Sequence, residues 1–161
     1  MAEEPTLKPV VLAVFPDGED RASLREIFAG SAWTFHGIAT LAEARLLLKA
    51  SSIEVVISEC SLGDGHGWKD LLGNIQDMMN PPPLIVADRL ADDRLWAEVL
   101  NLGCHDLLAK PFDCKEVLYT VGTAHRWREH HQWTMAARKA PQAAEPDHAA
   151  AETGATCGGR R

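Results

Sequence analysis

The sequence predicts an α/β fold in which five parallel strands form a doubly wound sheet covered by five helices. Short apolar runs alternate along the chain with longer segments in which apolar residues recur at helical spacing. Glycine, proline and helix-capping residues separate these segments. Repeated strand–helix units of this kind give a parallel sheet with right-handed crossovers and helices on both faces. The 161 residues are enough for one such domain with a hydrophobic core.

Five apolar runs are predicted as the strands. In the central run, Val55, Val56 and Ile57 follow one another without polar alternation, as expected of a strand that is buried on both faces. This run stops at Glu59, and a glycine-rich segment follows it, which we expect to be a flexible polar loop. The predicted strands cover residues 10–15, 33–38, 53–59, 84–87 and 106–109.

Capping signals mark the starts of the helices. Asp17 or Asp20 can cap the first helix, and Thr40 with Glu43 forms a capping box for the second. The third helix is predicted over residues 68–79, where three prolines follow it. The last begins at Asp113 and extends to about residue 133. The inward-facing residues predicted for the third and fourth helices are Leu71, Leu72, Ile75, Met79, Leu95, Trp96, Val99 and Leu102.

The predicted domain occupies residues 9–133. Residues 1–8 are polar and are expected to form a flexible N-terminal arm. Residues 134–161 are rich in alanine and hold almost no large apolar side chain, so we expect a disordered tail. This tail is too short and too polar for a DNA-binding output domain.

Charge and composition narrow the function classes. A net charge of −7 argues against sequence-independent binding to nucleic acids or anionic membranes, which requires clustered Lys and Arg. No apolar run approaches the roughly 20 residues that a bilayer requires, and the N-terminus lacks the pattern of a signal peptide. We therefore expect a cytoplasmic location. The four cysteines have no metal-binding or redox spacing and are expected to be reduced thiols.

Charged residues follow four of the predicted strands. Asp17 comes shortly after the first, Glu59 ends the third, Asp88 follows the fourth and Lys110 follows the fifth. Ligands of open α/β sheets bind at this carboxyl edge. Because a buried lysine requires a carboxylate partner, we expect Lys110 to pair with Glu59, with Asp88 as the second candidate.

These features together resemble the receiver domain of two-component response regulators, which has a (βα)5 flavodoxin-like, CheY-like fold. The resemblance rests on the order of elements, the acid that ends the third strand, the glycine-rich GDGHG segment at residues 63–67, and the Lys-Pro-Phe-Asp tetrapeptide at residues 110–113. It covers about residues 9–126. The tetrapeptide is its most specific part.

The resemblance implies a phosphorelay chemistry and assigns positions to it. In the family, an aspartate that ends the third strand accepts a phosphoryl group from a histidine kinase, with Mg²⁺ held by that aspartate and an acidic pair. A hydroxyl residue and a lysine contact the phosphoryl oxygens. In this chain the phosphoacceptor position is Glu59. The switch and phosphate-contact positions are Asp88, Leu107, Lys110 and Pro111. The resemblance also implies a cis Lys110–Pro111 peptide bond.

The chain departs from that pattern at the metal and phosphoacceptor positions. Phe15 and Pro16 occupy the acidic-pair positions, so Asp17 and Glu59 remain only as a weak metal site. Glu59 also reaches one methylene further than aspartate, and a misplacement of about 1 Å can cost on the order of a hundredfold in rate. The sequence therefore predicts a degenerate pseudo-receiver. We expect a signalling module that is not an enzyme, acts through protein–protein contacts without normal aspartyl phosphorylation, and needs no cofactor.

Several alternatives stay open at this stage. The Glu59–Lys110 pair could lock the switch, could be a relic salt bridge, or could belong to a drifted site that still accepts phosphate with Mg²⁺. A structural dimerisation module is a further alternative. The expected partners are a histidine kinase or another signalling protein, and a homodimer could form through the fourth and fifth helices. The histidines of the last helix, His125, His130 and His131, are expected to face solvent, although His125 and Glu129 are spaced to share a metal.

Overall fold

A computed structural model describes the backbone of residues 7–138 and the side chains of residues 7–131. One parallel sheet has the strand order β2-β1-β3-β4-β5. The strands are β1 Val10–Val14, β2 Thr34–Ile38, β3 Val55–Glu59, β4 Leu84–Asp88 and β5 Asp106–Ala109. The predicted five-stranded doubly wound sheet is confirmed.

The strands end in register, and this brings the charged residues of the strand ends to one edge. Each of the four strand pairs is parallel. Glu59 lies opposite Ala87, and Asp88 lies opposite Ala109, the residue before Lys110. The ends of β3, β4 and β5 therefore meet at the carboxyl edge.

Four helices connect the strands, and a fifth follows the last strand: α1 Gly18–Phe28, α2 Leu41–Ala50, α3 Trp68–Gln76, α4 Asp93–Asn101 and α5 Cys114–Arg138. Side-chain caps fix several starts, as the sequence predicts. Asp17 accepts a hydrogen bond from the backbone N–H of Glu19 at 2.8 Å, and Thr40 accepts one from that of Glu43 at 3.2 Å. Each cap satisfies a backbone donor that the helix itself cannot pair.

The core has two layers, one on each face of the sheet. Alternate residues of β1 point to opposite faces: Val11 and Ala13 pack with α1 and α5, while Leu12 and Val14 pack with α2 and α3. Since both faces are covered, the strands can be apolar without interruption.

Three predicted core residues are exposed. Met79 is 99% exposed because α3 ends at Gln76, three residues before the predicted end. The backbone has to leave the helical conformation before the prolines. Trp96 and Leu102 are 49% and 43% exposed, and Val99 is the fully buried residue of α4. The helix packs against β5, the last strand of the sheet, so no further strand covers the rest of its apolar stripe.

The glycine-rich segment forms more regular structure than the predicted loop. Ser61–Gly63 and His66–Gly67 pair as two short antiparallel strands. Between them Asp64 and Gly65 have φ values of +53° and +80°, a left-handed conformation that makes the tight reversal possible. This hairpin carries the chain from Glu59 to the start of α3.

Helix α5 continues to Arg138, five residues into the predicted tail. Met135, Ala136, Ala137 and Arg138 are all strong helix formers. The remainder of the predicted tail and residues 1–6 of the predicted arm lie outside the described residues. The chain divides into two units, residues 1–129, which contain the sheet, and residues 130–161, which include the last turns of α5. Within residues 7–138, no helix is both long enough and apolar enough to span a bilayer.

Candidate functional site

Lys110 lies among carboxylates at the carboxyl edge of the sheet. Its Nζ donates hydrogen bonds to Asp20 Oδ2, at 2.9 Å, and to Glu59 Oε2. The side chains of Lys110, Asp20 and Glu59 are 7%, 14% and 15% exposed. The predicted pairing of Lys110 with Glu59 is confirmed, the alternative candidate Asp88 does not take its place, and Asp20 is a further partner that was not predicted.

Asp20 reaches the site because α1 begins directly above the end of β1. Asp17 caps the helix, so Asp20 lies in its first turn. Sequence reasoning treated Asp20 only as a possible cap. The signal that could have identified it is its position in the first turn of a helix that starts at the carboxyl edge, since such a turn directs side chains toward that edge.

The two carboxylates keep Lys110 charged. Burial alone lowers the pKa of the Lys110 ammonium, but its hydrogen bonds and charge interactions with Glu59 and Asp20 outweigh burial and raise that pKa above its ordinary value. The ammonium also lies 5.9 Å from the ring centre of Phe15. Lys110 therefore stays protonated at neutral pH.

Both oxygens of the Glu59 carboxylate have partners. One binds Lys110, and the other accepts the backbone N–H of Cys60 at 3.2 Å. Cys60 itself is not a candidate nucleophile, because burial and the nearby charges of Asp88 and Glu59 raise the pKa of its thiol to about 12.

Asp88 stands apart from this network. Its carboxylate accepts the backbone N–H of Leu90 at 3.2 Å, and it forms no ion pair with any residue in the described part of the chain. Glu59, Asp88 and Lys110 line an open cleft of about 580 Å³, together with Pro16, Asp17, Cys60, Ser61, Arg89 and Leu90. The four predicted switch positions are divided: Lys110 and Asp88 line the cleft, Leu107 packs against the core, and Pro111 follows a cis bond, as expected.

The end of β1 is closed by an aromatic ring and a guanidinium. Phe15 is fully buried and packs edge-on against Phe112, with 5.8 Å between ring centres. Arg21 Nη1 donates to the carbonyl oxygens of Phe15, at 2.6 Å, and Pro16, at 3.0 Å. Asp17 is used as the cap of α1.

The residues present do not fit the Mg²⁺ ion that the receiver fold implies. Residues 7–131 contain no group of three His, Cys, Asp or Glu side chains that could hold a metal ion. Mg²⁺ requires several oxygen ligands in near-octahedral order, whereas here Lys110 already holds both Glu59 and Asp20. A divalent cation would have to displace that ammonium. The weak metal site predicted at Asp17 and Glu59 remains a prediction that these contacts do not favour.

His125 of α5 is expected to face solvent but instead makes contacts at the amino edge of the sheet, opposite the Lys110 cluster. His125 packs edge-on against Trp33 at 5.2 Å, and its Nε2 lies 3.5 Å from Glu54 Oε1. Arg128 Nη1 donates to the same oxygen at 2.7 Å, and Nη2 donates to the carbonyl of Asn80 at 3.0 Å. We call these contacts the Glu54 clamp. Because Arg128 already pairs with the Glu54 carboxylate, these contacts are structural and do not form a metal site. His130 and His131 are exposed.

Solved structures with the same fold are many. The signal receiver domain of a protein assigned as a Luxo repressor from Vibrio parahaemolyticus has a TM-score of 0.73 at 19% identity, over 80% of this chain and 98% of that one. The signal receiver domain of an HD domain-containing protein from Pseudomonas fluorescens has a TM-score of 0.71 at 23% identity, over 81% and 96%. The beryllofluoride-activated NtrC4 receiver domain dimer has a TM-score of 0.68 at 21% identity, over 74% and 98%.

The chain has the receiver-domain fold. The likeness covers nearly the whole of each solved receiver domain. In sequence, the regulatory protein VirG of Agrobacterium tumefaciens is 29% identical over 120 residues, which are 73% of this chain and 44% of VirG. The chain therefore spans less than half the length of that curated relative. No family model matches the sequence.

Proposed function

We propose that this receiver-fold chain is a signalling module that acts through contacts with other proteins, without normal aspartyl phosphorylation. The observation that carries the proposal is the closed cluster in which Lys110 binds both Glu59 and Asp20. The signalling role is supported by the receiver domains that share the fold and by the similarity to VirG, a regulatory protein. In this proposal the chain is not an enzyme.

The contacts of Glu59 disfavour phosphoryl transfer. In-line attack requires a carboxylate oxygen that can turn toward the phosphorus, and the transferring phosphoryl group requires positive charge to stabilise it. Here one oxygen of Glu59 is bound to Lys110 and the other to a backbone amide. The buried ring of Phe15 stands at a position where the family has a metal-binding acid.

The Glu59–Lys110 pair can instead hold one state of a switch. A carboxylate brings a charge of about −1, against about −1.5 to −2 for a phosphoryl group, so Glu59 is a partial imitation of a phosphorylated site. A bias of about 1.4 kcal/mol would shift a two-state balance tenfold. A relic salt bridge without a signalling role is the competing interpretation.

The proposed partners are a histidine kinase or another signalling protein, and a second copy of the chain. Trp96 on α4, Leu102 after it and Tyr119 on α5 are 49%, 43% and 70% exposed. Exposed apolar side chains of this size on neighbouring elements favour a protein contact. Neither nucleic acid nor membrane is a proposed partner, because the chain carries a net charge of −7.

A two-dimensional amide NMR spectrum of the full chain tests the loss of phosphoryl chemistry. We expect the spectrum to stay unchanged when Mg²⁺ and beryllium fluoride, a phosphoryl stand-in, are added. Shifts that spread from Glu59, Asp88 and Lys110 into α4 and α5 would instead support the second candidate, a phospho-accepting receiver with a drifted site.

Neutralising Glu59 separates a locked switch from a relic salt bridge. For a locked switch, Glu59→Gln changes the amide shifts of α4 and α5 as well as those around Lys110. The matched control is Glu26→Gln, the same substitution on the exposed side of α1, which should leave both regions unchanged. If Glu59→Gln also leaves α4 and α5 unchanged, the pair is only a stabilising contact.

A further inference from the structure

A groove lies between α2 and the end of α3, away from the Lys110 cluster. It has a volume of about 270 Å³ and is lined by Arg45, Leu48, Lys49, Asn74, Met78 and Met79. Both helices end where the chain returns to the amino ends of β3 and β4. The groove is therefore near the amino edge of the sheet, while Glu59 and Lys110 are at the carboxyl edge.

The groove exposes an apolar side chain that the fold does not use. Met79, which lines the groove, is 99% exposed. Single exposed apolar residues are ordinary, but Met79 lines the groove with Leu48 and Met78, which pack against the core. Methionine side chains adapt to partners of different shape and are common at protein-binding surfaces.

The rim of the groove is basic in an otherwise acidic chain. Arg45 and Lys49 are one helical turn apart and exposed, and neither forms an ion pair with any of the described side chains. Two like charges at this spacing repel one another. Asp77, the acid nearest to Met78 in sequence, also forms no described ion pair. The rim therefore offers two exposed cations, without an ion-pair partner among the described side chains, beside an apolar floor.

We propose that this groove docks an acidic amphipathic helix of a partner protein. One apolar side chain of that helix would enter between Leu48, Met78 and Met79, and carboxylates one turn apart would face Arg45 and Lys49. Helices that bind in grooves combine apolar anchors and flanking charges in this way, and charge complementarity selects the partner. The inference goes beyond the proposed function, because it does not depend on the state of Glu59.

The test uses the full ¹⁵N-labelled chain and a synthetic helical peptide of defined design. The peptide carries leucines at positions i, i+3, i+4 and i+7 and glutamates on both flanks. We expect amide shifts confined to the second half of α2 and residues 74–79, a dissociation constant of about 100 µM or below, and weaker binding at higher salt. A peptide with lysines in place of the glutamates should not bind.

Charge reversal on the rim tests the role of the two cations, and the same reversal outside the groove is the matched control. Lys49→Glu should weaken binding by about fivefold, and Arg45→Glu with Lys49→Glu by more. Lys8→Glu, an identical change at an exposed lysine outside the groove, should change it by less than about twofold. Met79→Ser tests the apolar floor and should also weaken binding, without loss of folding, since Met79 is exposed.

Several outcomes would overturn the inference. These are no binding at about 1 mM peptide, shifts that map outside the groove, or equal losses for Lys49→Glu and Lys8→Glu. Groove shifts that depend on protein concentration without peptide would assign the surface to a second copy of the chain instead. The Glu59→Gln substitution should leave peptide binding unchanged. A failure of the peptide-binding test is therefore distinguishable from a failure of the proposed function.

Discussion

Removing the ammonium group of Lys110 would leave the carboxylates of Asp20 and Glu59 together at the carboxyl edge without their shared cation. Both are largely buried, and breaking a buried pair from one side leaves uncompensated charge. Lys110→Met should therefore lower the free energy of unfolding by about 3 kcal/mol. Urea titration measures this as a lower midpoint at an unchanged slope. A loss below about 0.5 kcal/mol, the range of exposed pairs, would mean that the carboxylates are solvated.

The same residue predicts a dependence of stability on alkaline pH. The pKa of Lys110 is raised in the folded protein, so its contribution is complete below the unfolded value of about 10.4 and is lost as pH rises through the folded value. The wild-type chain should lose stability above about pH 10.4 more steeply than Lys110→Met does. The measurement is thermal unfolding of the wild-type chain and of Lys110→Met across this pH range. If the stability of both proteins falls in parallel, the raised pKa of Lys110 is contradicted.

The cysteines should differ strongly in reactivity. The pKa of Cys60 and that of Cys104 are both raised to about 12, in each case chiefly by burial, whereas Cys114 is exposed. At about pH 8, iodoacetamide should label Cys114 well before Cys60 or Cys104, because the thiolate is the reacting form. Mass mapping of the modified peptides gives the rates. In denaturant the three rates should converge, and unequal rates there would point to local sequence instead of burial.

Two glycines around α3 should respond in opposite directions to the same substitution. Gly73 is an exposed glycine in the helix interior, and a Cβ added there would meet no atom within 4 Å. Gly73→Ala should stabilise the protein by about 0.5–1 kcal/mol. At Gly67, a Cβ would lie 2.8 Å from the carbonyl oxygen of Cys60, so Gly67→Ala should be destabilising. Urea midpoints of the two variants that move in the same direction would contradict this account of the helix.

At the level of elements, the strands and helix starts that depend on local sequence pattern were mostly predicted correctly. The uninterrupted run Val55–Ile57 predicted a strand buried on both faces, and Thr40 with Glu43 predicted a helix start. Burial of Met79 was mispredicted because helical spacing alone does not show where the backbone leaves α3. Trp96 was mispredicted because the exposure of α4 depends on its position over the last strand of the sheet.

The candidate site was predictable in part. The match of residues 110–113 to a family signature and the need of a buried lysine for an acid identified Lys110 and Glu59. Asp20 was not identified, because its contact spans 90 residues and depends on how α1 sits above β1. The guanidinium of Arg21 at the end of β1 was missed for the same reason.

At the scale of the whole molecule, we expect self-association through α4 and α5. Trp96 and Tyr119 would be covered in a dimer, which would remove apolar surface from water. Sedimentation velocity should show a concentration-dependent dimer, and Trp96→Glu should weaken it by about tenfold or more.

Leu46→Glu is the control for this prediction. It places the same charge on an exposed apolar position of α2, and it should leave the dimer intact. If Leu46→Glu disrupts association and Trp96→Glu does not, copies of the chain associate through the exposed face of α2 instead.

The Glu54 clamp has a consequence for the order in which a growing chain can complete its structure. Arg128 reaches back 74 residues to Glu54 and 48 residues to Asn80. A nascent chain that has emerged from the ribosome only through β5 still lacks the partner of Glu54 and the inner face of α5. Because contacts this distant in sequence form only after the whole intervening segment is available, the Glu54 clamp can close only after residue 128 has emerged, near the end of synthesis of the chain's first unit.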